Sequence, residues 1–139
     1  MFTRLAALSL SLVLFVGCNN TSLPSSGGDH AAIHVNQSDF DAVVLNSQQP
    51  VLVDFWATWC GPCQQMGPVV EEVAAEFKGR AVVVKVDTDE NKDLAQKYHI
   101  TGIPAFVFFK NGKEVDRLIG SGTTKQQFAE KLNSLIQGS

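Results

Sequence analysis

Basic residues are scarce in this chain of 139 residues: 11 Lys and Arg stand against 14 Asp and Glu, a formal net charge of -3. A general nucleic-acid binder carries a basic face, so this balance argues against one. Histidine is equally sparse. His30, His34 and His99 are the whole supply, and no second Cys-x-x-Cys is present, so a zinc centre lacks ligands. No apolar run reaches the roughly 20 residues that a membrane-spanning helix needs, and no internal repeat is found. The chain does hold 45% hydrophobic residues, which excludes a wholly disordered protein. The length suits one domain, able to bury a core without disulfide staples. The cysteines are Cys18, Cys60 and Cys63, an odd number. Two lie three apart and one lies far away, which points to separate jobs.

No charge stands between Arg4 and Asp29. Within that stretch Leu5 to Val16 is apolar apart from Ser9 and Ser11. A positive start, an apolar middle and small residues form the layout of a secretory signal, although an Ala-x-Ala cleavage site is missing. The apolar run closes instead on Val16-Gly17-Cys18, which resembles the lipobox of bacterial lipoproteins, with Phe15 where Leu is usual. The resemblance implies cleavage before Cys18 and linkage of its thiol to diacylglycerol. The alternatives are an uncleaved anchor, or a signal with an incidental cysteine. Each acyl chain adds about 0.8 kcal/mol per buried methylene, so a multiply acylated terminus holds firmly to a bilayer. Asn19 to Asp29 (NNTSLPSSGGD) has little to bury and reads as a flexible tether. The expected organisation is a signal peptide at 1–17, a lipidated cysteine and tether at 18–30, and a globular domain at 31–139.

From about Ile33 the pattern is that of an α/β domain. Ser38 can cap a short helix in which Phe40, Val43 and Val44 share a face. After Pro50, the run from Val51 to Ala57 (VLVDFWA) is apolar and β-prone, as a central strand should be. Met66, Val69, Val70, Val73 and Phe77 recur at helical spacing, with Pro68 inside the helix as an expected kink and Gly79 ending it. Ala81 to Val86 reads as a second strand, Asn91 to Tyr98 as a short helix, and Pro104 to Phe109 as a third apolar strand. Asn111-Gly112 is a hairpin signal, so Lys113 to Ile119 should pair antiparallel with that strand. Thr124 and Gln127 have capping-box spacing, and Phe128, Leu132, Leu135 and Ile136 form the stripe of a closing helix. The predicted order is βαβαβαββα, a mixed sheet with helices on both faces.

The chemistry concentrates at Cys60-Gly61-Pro62-Cys63, which lies between a buried strand and the helix it opens. A helix start offers unpaired N–H groups and partial positive charge, which stabilise a thiolate, the reactive form of cysteine. Cys60 at the helix mouth is the expected nucleophile. Cys63, one turn on, can attack a mixed disulfide at Cys60. Pro62 suits the first turn, where its missing N–H is no loss. Three alternatives stay open: a structural disulfide, a zinc site, or redox-inert cysteines. A loop this short is a poor staple, and zinc lacks ligands.

Trp59 to Cys63 reads WCGPC, and the segments VDFWATWCGPC (Val53–Cys63), KVDTDEN (Lys85–Asn91), GIP (Gly102–Pro104) and FFKNGKEV (Phe108–Val115) occur in that order. Together they resemble the thioredoxin family over about residues 33–137. The resemblance implies a thioredoxin fold at 31–139 and protein-disulfide reduction by dithiol exchange without a cofactor. Asp54 matches the buried aspartate that moves the proton at the second cysteine, and Lys85 the lysine beside it. Burial of a carboxyl in an apolar strand independently predicts a raised pKa. Pro104 matches a cis-proline facing the cysteines. Trp59, Gly102, Ile103 and Gly120 match positions around the groove for protein substrates, Gly61 and Pro62 the residues that tune the redox pair. Trp56 matches a tryptophan packed under the site. Departures are Thr58, Gln64, Ala105 and a longer Gly120–Thr124 loop.

The implied partners are disulfide-containing proteins, a membrane thiol reductase as electron donor, and a lipid bilayer through Cys18. The expected state is a monomer facing the periplasm or cell exterior. An oxidant or isomerase of protein disulfides, or a binding module on the same fold, are the alternatives.

Overall fold

The computed structural model describes residues 31–138. The signal, Cys18 and tether assignments therefore lie outside the described residues. In chain order the elements are β1 (Ile33–His34), α1 (Gln37–Phe40), β2 (Val51–Trp56), α2 (Gly61–Glu76), β3 (Val82–Asp87), α3 (Lys92–Lys97), β4 (Ala105–Lys110), β5 (Lys113–Ile119) and α4 (Lys125–Gln137). The order is the predicted one, and boundaries differ by a residue or so. The first helix departs from expectation in two ways. Its N-cap is Asn36 rather than Ser38, with no side-chain cap bond. It also widens into a π-helical turn over Asp41–Leu45, closed by the Asn46 N–H donating to the Asp41 carbonyl at 2.9 Å.

One sheet runs in the order β1-β3-β2-β4-β5. β1, β3 and β2 are parallel, while β4 and β5 are antiparallel to their neighbours. β2 therefore lies at the centre with helices above and below, and five of its six residues are buried. That double burial explains its near-continuous apolar run. One face packs Leu52, Val83, Phe106 and Phe108 against Met66, Val70 and Val73 of α2 and Phe128 and Leu132 of α4. The other packs Val51, Val53, Phe55, Val84 and Phe109 against Phe40, Val44 and Leu94. Strand alternation thus sorts odd and even residues of β2 into two cores. Asp54 shares the parity of Leu52 and so faces the layer of α2 and α4.

The outer strand β5 is largely exposed and carries Lys113, Glu114, Asp116 and Arg117. Charges on an edge discourage pairing with other chains. α4 begins with the predicted capping box, Thr124 accepting from the Gln127 N–H and Gln127 accepting from the Thr124 N–H.

The β4–β5 turn is tight. Asn111 and Gly112 have φ of 51° and 74°. A Cβ on Gly112 would lie 2.8 Å from the Leu45 carbonyl oxygen, so glycine meets both a backbone and a space requirement there. Gly112→Ala is expected to cost about 1 kcal/mol or more. A lowered urea midpoint at unchanged slope is the measurement that checks it.

Candidate functional site

The end of β2 leads through Ala57-Thr58-Trp59 to Cys60, the N-cap of α2, which has the extended backbone of a cap (φ -83°, ψ 102°). Its sulfur accepts a hydrogen bond from the Cys63 N–H at 3.2 Å. An unpaired amide of the first helical turn is thus directed at sulfur, as the spacing predicted. Cys60 and Cys63 are joined as a disulfide, with Cα atoms 5.2 Å apart. Both are buried, in a small cluster with Ala57, against which Trp56 and Ile103 pack. α2 continues through Pro68 without interruption.

A groove of about 520 Å³ opens over this cluster. It is lined by Trp59, Cys60, Gly61 and Pro62 from the junction of β2 and α2, by Ile100, Thr101, Gly102 and Ile103 from the loop before β4, and by Thr88 and Ala95. Cys60 lines it, whereas Cys63 stands behind. The asymmetry matches an outer nucleophile and an inner resolving thiol. Trp59 is 69% exposed, yet its indole N–H donates to Asp89 Oδ2 at 2.7 Å, which holds the ring over the groove. Ile103-Pro104 is cis. Pro104 is buried behind the groove, and its carbonyl accepts from the Gly120 N–H at 2.9 Å. Gly120 thus supports the proline rather than lining the groove.

Two of the positions that depart from the family pattern bond to each other: Gln64 Nε2 donates to the Thr58 carbonyl at 2.8 Å. A neutral amide therefore braces the loop ahead of Cys60.

Asp54 is 2% exposed, and its Oδ1 has no hydrogen-bond partner. Burial pushes this carboxyl from an ordinary 3.8 up to about 7; Lys85 opposes the rise and Glu71 adds to it. Lys85 is the in-register neighbour of Asp54 on β3. Its ammonium lies 3.8 Å from Glu71 Oε1 and 5.1 Å from the centre of the Trp56 ring. The expected neighbourhood of Asp54 and Lys85 is therefore present, but Lys85 closes its ion pair on Glu71.

Residue-by-residue reading of the sequence missed Glu71, Asp89 and the groove residues Thr88, Ala95, Ile100 and Thr101. Asp89 lay within the matched KVDTDEN segment, yet nothing local tied it to Trp59. Glu71 looks like any acidic residue on an amphipathic helix.

A cysteine pair at a helix N-terminus, lining a largely apolar groove and reached from a strand that carries a buried carboxyl, defines a thiol–disulfide oxidoreductase. The thioredoxin family model matches residues 31–134. "Thioredoxin 1" of Nostoc sp. is 50% identical over 103 residues, covering 73% of this chain and 96% of its own. "Thioredoxin" of Staphylococcus aureus is 46% identical over 103 residues, 74% and 96% respectively. "Thioredoxin M-type, chloroplastic" of Pisum sativum is 41% identical over 126 residues, 91% and 72%. The chain belongs to the thioredoxin family.

The raised Asp54 pKa has a stability consequence. Between roughly pH 4 and pH 7 the folded chain keeps a proton that the unfolded chain has shed, so stability falls as pH rises through this window. The full cost above it is about 4 kcal/mol. Asp54→Asn is expected to raise Tm at pH 8 and to match wild type at pH 4. Circular-dichroism melts at the two pH values check this.

Proposed function

We propose that the protein is an exported, membrane-tethered reductant of protein disulfides. The observation that carries the reaction is the asymmetry of the pair: Cys60 both caps α2 and lines the groove, while Cys63 stands behind it. In the reduced state the Cys60 thiolate attacks one sulfur of a substrate disulfide, and the other sulfur leaves as a thiolate. Asp54 takes the proton of Cys63. The Cys63 thiolate then attacks Cys60, closes the Cys60–Cys63 disulfide and releases the second substrate thiolate. Two electrons pass to the substrate. A carboxyl with a pKa of about 7 is part-ionised near neutrality, so it can accept that proton.

The backbone at Gly102 and Ile103, ahead of the cis-proline, forms the wall to which an extended substrate segment adds as a short strand. Trp59 supplies an apolar rim on the opposite side. Gly61 and Pro62 keep the helix start compact and tune the potential. Lys85 sets the field around Asp54, and Pro104 with Gly120 shapes the wall.

The membrane half of the proposal rests on the apolar run from Leu5 to Val16, closed by Gly17-Cys18. Lipid on Cys18 leaves the exchanging pair without a spare thiol. Recharging the pair outside the cytoplasm then calls for a membrane thiol reductase, and the domain acts as a monomer.

Cys63→Ser is expected to abolish turnover of insulin disulfides and to accumulate substrate proteins as mixed disulfides on Cys60. Insulin turnover equal to wild type would remove the exchange mechanism. Equilibration with glutathione buffers is expected to give a potential more reducing than that pool. For the anchor, intact mass should show a chain beginning at an acylated Cys18, and Cys18→Ser should move the protein out of the membrane fraction. An uncleaved chain with a free Cys18 thiol overturns the anchor and leaves the exchange chemistry standing.

A further inference from the structure

Three strands place His34, Lys85 and Asp54 side by side in register across β1, β3 and β2. Lys85 sits in the middle, and two carboxyl groups compete for its ammonium. One is Asp54, its neighbour about 4.8 Å away across the sheet. The other is Glu71, descending from α2 above. Glu71 holds the advantage because its own geometry is fixed. Its Oε2 accepts the Ala32 N–H at 3.0 Å, which leaves Oε1 turned toward Lys85 at 3.8 Å. The Trp56 ring packs against the same ammonium. Lys85 is thereby held between a carboxylate and an indole, and Asp54 keeps an unpartnered oxygen.

Glu71 lies eight residues beyond Cys63 on the same helix, about 12 Å along its axis, so it acts through other groups rather than on sulfur. We propose that Glu71 is a positioning residue for disulfide exchange: by holding Lys85 it keeps Asp54 without a direct counter-ion and able to trade a proton with Cys63. The proposal rests on the role of Asp54 in the exchange reaction. It assigns to one carboxylate two effects of the same sign. Glu71 repels negative charge on Asp54, and it withdraws the cation that would favour that charge. The groups around Asp54 are consistent with this assignment. β3 presents Lys85 and α2 presents Glu71, with the cysteine pair at its start. β4 presents Phe106 and α4 presents Phe128 and Leu132, all apolar. β1 carries His34 one strand beyond Lys85, against Trp56.

Glu71→Gln tests the idea, because an amide oxygen can still accept the Ala32 N–H while the charge is gone. The titration of the Asp54 carboxyl is followed by carbon NMR in the reduced full-length protein, alongside the pH profile of insulin reduction. In Glu71→Gln both midpoints are expected to move about one unit to lower pH. Lys85→Gln is expected to move them the other way. In an Asp54→Asn background, Glu71→Gln should leave the remaining profile unmoved. A Glu71→Gln midpoint equal to wild type, with or without a lowered Tm, overturns the proposal and reduces Glu71 to a structural tie for β1. If Asp54→Asn leaves the wild-type profile intact, the Asp54 role itself fails and the proposal with it.

Discussion

The hydrogen bond from the Cys63 amide to the Cys60 sulfur is the contact on which the rest of the site depends. It exists because a short loop from the end of β2 delivers Cys60 to the start of α2, so that the sulfur takes the place of a capping oxygen. A helix N-terminus pointed at sulfur favours the thiolate through both its free amides and its dipole. The fold is arranged to hold that junction still. β2 is flanked by β3 and β4 and covered on both faces, while α2 is pinned along its length by Met66, Val70 and Val73. The groove walls come from the loop after β2 and the loop before β4, adjacent central strands, so substrate meets sulfur at a rigid place.

The same burial that steadies the junction makes Asp54 unfavourable. An apolar residue would suit the centre of β2 better, and the surrounding layer offers the carboxyl no hydrogen bond to Oδ1. The cost is confined to the charged form, because desolvation penalises charge far more than it penalises a neutral acid. Burial therefore raises proton affinity at Asp54 to a value near neutrality, where a carboxyl can both give and take a proton.

Much of this was legible in the sequence because strand and helix periodicities were strong. VLVDFW, AVVVKV and PAFVFF could only be buried strands at their length and composition, and Asn111-Gly112 named its own turn. The Cys-x-x-Cys pair and Asp54 were visible because each breaks an expectation, thiols at a helix start and a charge in an apolar strand, whereas Pro104 was reached only through the family resemblance. The features that escaped break none. Ser38 looked like a cap, but the cap is Asn36, and the helix relaxes into a π turn before Asn46. Asp89 and Glu71 belong to an exposed turn and a helix surface, where acidic residues are ordinary. Their roles come from tertiary contacts, thirty residues apart for Asp89 with Trp59 and thirty-nine for Glu71 with Ala32. No local pattern encodes such distances.

A part-ionised Asp54 also bears on the direction of electron flow. A base strong enough to keep every proton would drive the pair toward the disulfide and then hold it there. A carboxylate of ordinary strength would seldom accept the proton of Cys63. A value near 7 sits between these limits, which suits the proposed transfer of a proton in both directions. The protein's contribution is then symmetrical in the two directions. Net flow is set by the relative potentials of whatever delivers electrons to Cys60 and whatever removes them.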